Sequence, residues 1–175
     1  VFCKIKKVRN FLFIVVFFAI GFFGYQNGFS KDVVLENENA QISTKENGPA
    51  MILICDLNKN QGQSLVRNSM ISILKLGKIN SIFKDKIKIV AIINTDYEDQ
   101  EILPQLRSVQ RHHKFEMEFF VDHKNSFSKK MSAKNKPIVL LIKDGKVKYR
   151  MENPEFNWDS AEGIQLIVNN FGIMF

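Results

Sequence analysis

Thiol chemistry is the first reaction class these residues could support, and only Cys3 and Cys55 are present to support it. Cys55 closes the apolar run Ala50 to Cys55, A-M-I-L-I-C. The thiolate is the reactive form, and a neighbouring cation or helix N-terminus is what lowers a cysteine pKa. No His or Arg adjoins Cys55. It therefore reads as a small hydrophobe at a strand end, with a peroxidatic or mixed-disulfide role as the competing reading. His112 and His113 diverge by about 100° on a helix and cannot chelate together. With no ligand spacing around His123 either, no metal and no cofactor are expected. Asp96, Glu98, Asp99 and Glu101 crowd a helix entrance, where the macrodipole accounts for them. Asn60 and Gln61, in N-Q-G-Q before another helix, could meet an anion or a partner, but the glycines and lysine of a phosphate loop are lacking.

The elements that would position these groups centre on Asn135 to Arg150, N-K-P-I-V-L-L-I-K-D-G-K-V-K-Y-R. Ile138 to Ile142 is an unbroken apolar run, as in a strand buried on both faces. Asp144-Gly145 is a two-residue hairpin signal. The return from Lys146 alternates, with Val147, Tyr149 and Met151 expected on one face. Pro137 opens the buried strand, where its missing N–H does least harm, and Lys136 precedes it. Ala50 to Cys55 and Ile89 to Ile93 are two more continuous apolar runs. A helical stripe between them, Val66, Met70, Ile73 and Leu76, predicts a βαβ unit in a parallel sheet. Ser64 is the expected N-cap, Gly77 a weak point or bend, and Pro104 a first-turn residue of the next helix. Leu106, Val109 and His113 are expected on that helix's inward stripe. Glu116 to Val121 reads as a short strand and Phe127 to Met131 as a helical turn. Asp159 to Glu162 resembles a capping box, with Gly172 as the final stop.

The formal charge of +7 is concentrated at the start. Lys4, Lys6, Lys7 and Arg9 are four of the 25 basic residues, leaving 21 against 18 acidic ones over residues 31–175. That net +3 is an ordinary surface and argues against nucleic-acid binding. The basic flank precedes a wholly apolar stretch, Phe11 to Tyr25, extendable to Phe29. This reads as a signal peptide or a retained signal anchor over 1–30, the poor cleavage sites favouring the anchor. The basic side stays cytoplasmic and the remainder is exported. Residues 31–49 read as a tether with a candidate edge strand, and 50–175 as the domain. Cys3 and Cys55 then lie across a membrane from one another and cannot pair within one chain.

Three segments together resemble the thioredoxin-like superfamily: I-I-N-T-D-Y-E-D at 92–99, F-F-V-D-H-K-N-S-F-S-K-K-M at 119–131, and N-K-P-I-V-L-L-I-K-D-G-K-V at 135–147. The nearest branch is the membrane-tethered thiol–disulfide oxidoreductases and peroxiredoxin-like redoxins of bacteria. The resemblance implies a three-layer α/β/α fold with a mixed sheet, a cis Pro137 near loop 57–63, and an extracytoplasmic domain at the bacterial inner membrane. It also implies a role in redox homeostasis, and here the chain departs from the pattern. The C-x-x-C that resembling proteins carry after the first central strand is absent from Leu57 to Gln63. Two functions follow as expectations. One is a module with a degenerate active site that binds a peptide or protein through Pro137, Lys136, Asn60 and Gln61. The other is a redox enzyme using Cys55 or a partner's thiol.

Overall fold

The computed structural model describes residues 32–37, 40–84 and 86–174. Its strands are β1 (Val34–Glu36), β2 (Gln41–Ser43), β3 (Ala50–Asp56), β4 (Lys88–Asn94), β5 (Glu118–Val121), β6 (Ile138–Lys143) and β7 (Lys146–Met151). Its helices are α1 (Gln63–Phe83), α2 (Asp99–His113), α3 (Ser126–Lys130) and α4 (Ala161–Phe171). The expected segment 1–30 lies outside the described residues. No described helix is long and apolar enough to cross a membrane.

The apolar runs are central because they alone can be buried on both faces. The main sheet orders β5-β4-β3-β6-β7, with β3, β4 and β5 parallel and β6 antiparallel to β3. On one face Leu53, Cys55, Ile93 and Leu141 meet Ile73 and Leu76 of α1, Leu106 of α2 and Ile167 of α4. On the other, Ile52, Ile92 and Leu140 meet Phe127 and Met131 at α3, and Ile42 of β2. Helices thus cover one face fully, while a five-residue helix and a hairpin cover the other. Residues 34–36 and 41–43, expected within a tether, pair β1 with β2 instead of extending the main sheet. Ile42 is fully buried, which fixes this hairpin to the sheet.

Several local expectations are corrected. Helix α1 is capped by Gly62 rather than Ser64, and the Gly62 carbonyl accepts from Leu65 N at 3.0 Å. Gly77 is not a bend: a Cβ there would fall 2.5 Å from the Phe115 ring, so the glycine allows a close approach. Pro104 is the sixth residue of α2, on its exposed side, where water can serve the carbonyl the proline cannot reach. His113 ends α2 exposed, before Lys114 turns the chain at φ 54°. The following strand starts at Glu118, two residues later than expected. A bulge between Leu141 and Ile142 breaks the β7 alternation, pairing Val147 with Ile142 and Tyr149 with Leu141. Val147 is consequently exposed. Ser160 caps α4 by accepting from Gly163 N at 3.1 Å, and Gly163 has no side chain to complete a capping box. The Asp144-Gly145 turn has positive φ at both residues, as the hairpin signal requires.

Candidate functional site

The carboxyl ends of three parallel strands converge, and in open α/β sheets the crevice beyond such ends is the usual place for a ligand. After β3, which Asp56 ends, come Leu57 to Gly62, after β4 Thr95 to Glu98, and after β5 Asp122 to Asn125. Ile138 pairs with Ile54, so the turn into β6 arrives at this same end. The Lys136–Pro137 bond is cis, and Pro137 is buried.

Beneath the surface a polar network joins the three strand ends. Lys136 Nζ donates to Asp56 Oδ1 at 2.9 Å and to Asn125 Oδ1 at 3.3 Å. Asn94 Nδ2 donates to the same Asp56 oxygen at 2.9 Å, and Asn94 Oδ1 accepts from Ser128 Oγ at 2.8 Å. Thr95 Oγ1 donates to Leu57 O at 2.5 Å. Buried Asp122 holds the start of α3, accepting from Ser126 N and Phe127 N, each at 2.9 Å. Groups that would be costly to bury alone are each partnered here.

Above this floor a cleft of about 440 Å³ is lined by Asn58, Thr95, Asp96, Glu98, His123 and Asn125. His123 spans its wall: Nε2 stands 2.9 Å from Asp99 Oδ1, and Nδ1 3.2 Å from Thr95 O. Desolvation opposes the charged imidazole, but the Thr95 carbonyl, the Asp99 carboxylate and Glu98 outweigh it and raise the His123 pKa. Lys59 N donates to Asp96 Oδ1 at 2.8 Å, tying the loop after β3 to the loop after β4.

The residues singled out from sequence gather at this end but differ in access. Asn60 is exposed; Gln61 is half-buried and accepts from Asn58 N at 3.1 Å. Lys136 is turned inward to Asp56, with 12% of its side chain exposed. Cys55 is fully buried, and burial first, then the Asp56 charge, pushes its thiol up to about 12. Among the described residues no group of three metal-ligating side chains exists. Sequence reasoning missed Asp56, Asn94, Asp122 and the His123–Asp99 pair. The one available signal was a carboxylate or amide directly ending an apolar run, as at Cys55-Asp56 and Ile93-Asn94.

No family model matches the chain, and no curated protein matches it in sequence. Solved structures do match in shape. A putative thiol:disulfide interchange protein DsbE from Chlorobium tepidum superposes with TM-score 0.60 at 15% identity, covering 81% of this chain and 94% of that one. StoA from Bacillus subtilis gives 0.56 at 12%, covering 78% and 94%. A secreted disulfide oxidoreductase of Mycobacterium tuberculosis gives 0.54 at 9%, covering 78% and 94%. At such identities likeness establishes shape, and shape does not carry activity. With its five-stranded mixed sheet, cis-proline strand and terminal hairpin and helix, the domain over residues 32–174 has the thioredoxin-like fold.

Proposed function

We propose that this chain is a membrane-anchored, extracytoplasmic thioredoxin-like module that binds a protein or peptide at the carboxyl end of its sheet and runs no dithiol cycle of its own. The observation that carries this reading is the loop between β3 and α1: it contains no cysteine, and the nearest thiol, Cys55, is fully buried with its pKa pushed up to about 12. Exchange needs an accessible thiolate, and release of a mixed disulfide needs a resolving thiol. Neither is present in this domain. The anchor rests on the basic flank and apolar run at 4–29, with the flank cytoplasmic and the domain beyond the bacterial inner membrane. The cleft, bordered by the exposed Asn60 loop, supplies polar donors and acceptors suited to a peptide backbone.

The test uses the full chain in detergent or vesicles. Insulin-disulfide reduction should stay at the uncatalysed rate, and thiol labelling of Cys55 should proceed only as fast as the domain opens. A photo-crosslinker at Asn60 should capture an extracytoplasmic polypeptide that the same group at Lys86, at the opposite end of β4, does not. Turnover that disappears in Cys55→Ala while stability is kept would establish the one-cysteine redox enzyme instead.

A further inference from the structure

The sequence between Asp122 and Asp144 contains no acidic residue, yet it holds Lys124, Lys129, Lys130, Lys134, Lys136 and Lys143. Lys136 is consumed by Asp56, and Lys143 Nζ donates to Phe171 O. Lys124, Lys129 and Lys134 are exposed and Lys130 half-buried. Among the described residues none of these four has a carboxylate within 4.0 Å. Some exposed lysines elsewhere do find a carboxylate: Lys59 pairs with Glu101, Lys78 with Asp159 and Lys84 with Glu116. Of the two acids that border this segment, Asp122 is buried and spent on the α3 backbone, and Asp144 sits in the turn between β6 and β7. The result is a lysine surface whose four cations are not held in ion pairs among the described residues.

Its place in the fold says what it meets. Phe127 and Met131 set α3 on the sheet face opposite the three long helices, and Val33 packs against that same face. The chain therefore enters the domain on the side that carries the unpaired lysines. Only Ser30 and Lys31 separate Phe29, the end of the apolar run, from Asp32. Three residue steps span at most about 10 Å. A chain anchored through 11–29 thus keeps Asp32 within that distance of the headgroups, and contact between domain and lipid becomes an intramolecular event. Weak attraction then suffices, and a lysine cluster is attracted to an anionic surface within a Debye length.

We infer that the α3 face, through Lys124, Lys129, Lys130 and Lys134, is a docking surface for anionic phospholipid headgroups. This rests on the anchoring part of the proposed function. Docking by this face would lay the domain on the membrane through its thinly covered side and leave the three long helices toward solvent.

The experiment reconstitutes the full chain in vesicles of phosphatidylcholine and in vesicles one third phosphatidylglycerol, and follows lysine acylation by mass spectrometry. Lys129, Lys130 and Lys134 should react several-fold more slowly in the anionic vesicles, and the difference should vanish at about 1 M salt, where the Debye length is about 3 Å. Lys78, exposed on α1 across the sheet, should react equally in both. In Lys129→Gln/Lys130→Gln/Lys134→Gln, the extra hydrogen-exchange protection of residues 127–133 in anionic vesicles should be lost while flotation persists. Flotation with equal lysine rates in both vesicles overturns this inference alone. Failure to float with phosphatidylcholine overturns the anchor and this inference with it. Protection by polyglutamate without protection by anionic vesicles overturns it in favour of an acidic polypeptide.

Discussion

Lys136 Nζ lies 2.9 Å from Asp56 Oδ1, joining the residue before the cis-proline to the end of the first central strand. The lysine side chain is 12% exposed and the aspartate 29%, so the pair is largely withdrawn from solvent. Asn94 donates to the same carboxylate oxygen. Lys136 thereby closes part of the surface proposed to meet a partner, and the open cleft lies toward Asn58, Asn125 and His123.

Breaking that pair should cost more than losing an exposed one. Removing one partner strands a partly buried charge, so Lys136→Met or Asp56→Asn should each destabilise by about 2 kcal/mol. The double variant should recover part of the loss, with a coupling energy of about 1–2 kcal/mol. Urea unfolding of the four proteins measures it, and additive losses would show that the two side chains act independently.

Stability should depend on His123 with a definite sign. Both ring nitrogens face acceptors and the folded pKa is raised above 6.5. The charged form is therefore favoured by folding. Its contribution is full below the unfolded pKa and is lost as pH rises through the folded value. The difference in Tm between wild type and His123→Gln should be larger at about pH 5.5 than at about pH 8.5, values that bracket the ordinary histidine range. A difference independent of pH would remove the imidazolium from this role.

Cys55 should behave as a core residue. Cys55→Ser exchanges a weakly polar sulfur for a hydroxyl, which costs about 1–3 kcal/mol when unpartnered. Ser69 Oγ donates to Asp56 O at 3.0 Å, next along the chain from Cys55, and keeps its lone pairs free to accept from a hydroxyl at 55. That partner should hold the loss near about 1 kcal/mol, within the range for a buried hydroxyl that finds a hydrogen bond. Denaturation midpoints of Cys55→Ser, Ser69→Ala and the double variant decide this, the double loss exceeding the sum of the two single ones.

Gly77→Ala should destabilise although alanine is the better helix former by about 1 kcal/mol. The new methyl would fall 2.5 Å from the buried Phe115 ring. Overpacking of this kind costs about 1–3 kcal/mol. Phe115→Leu in the same chain should return part of the loss. A Gly77→Ala variant more stable than wild type would mean that the ring moves aside freely.

Much of the frame is determined locally and is legible in order along the chain. Runs such as Ile138 to Ile142 and Ile89 to Ile93 have no polar face to present to water, so they must be central strands whatever surrounds them. Asp144-Gly145 fixes its turn because positive φ suits those two residues. The missing dithiol is likewise a fact of sequence alone. What tertiary structure decided is which polar residues meet. Asp56, Asn94, Ser128 and Lys136 are separated by up to 80 positions and carry no periodic mark. They become one network because β3 and β4 run parallel while β6 returns antiparallel, bringing their ends to one edge. Gly77 likewise looked like a local weakness, and only the Phe115 ring packed on it gives the glycine its reason. Pattern reports how a residue faces its own element; contact between elements depends on the path of the whole chain.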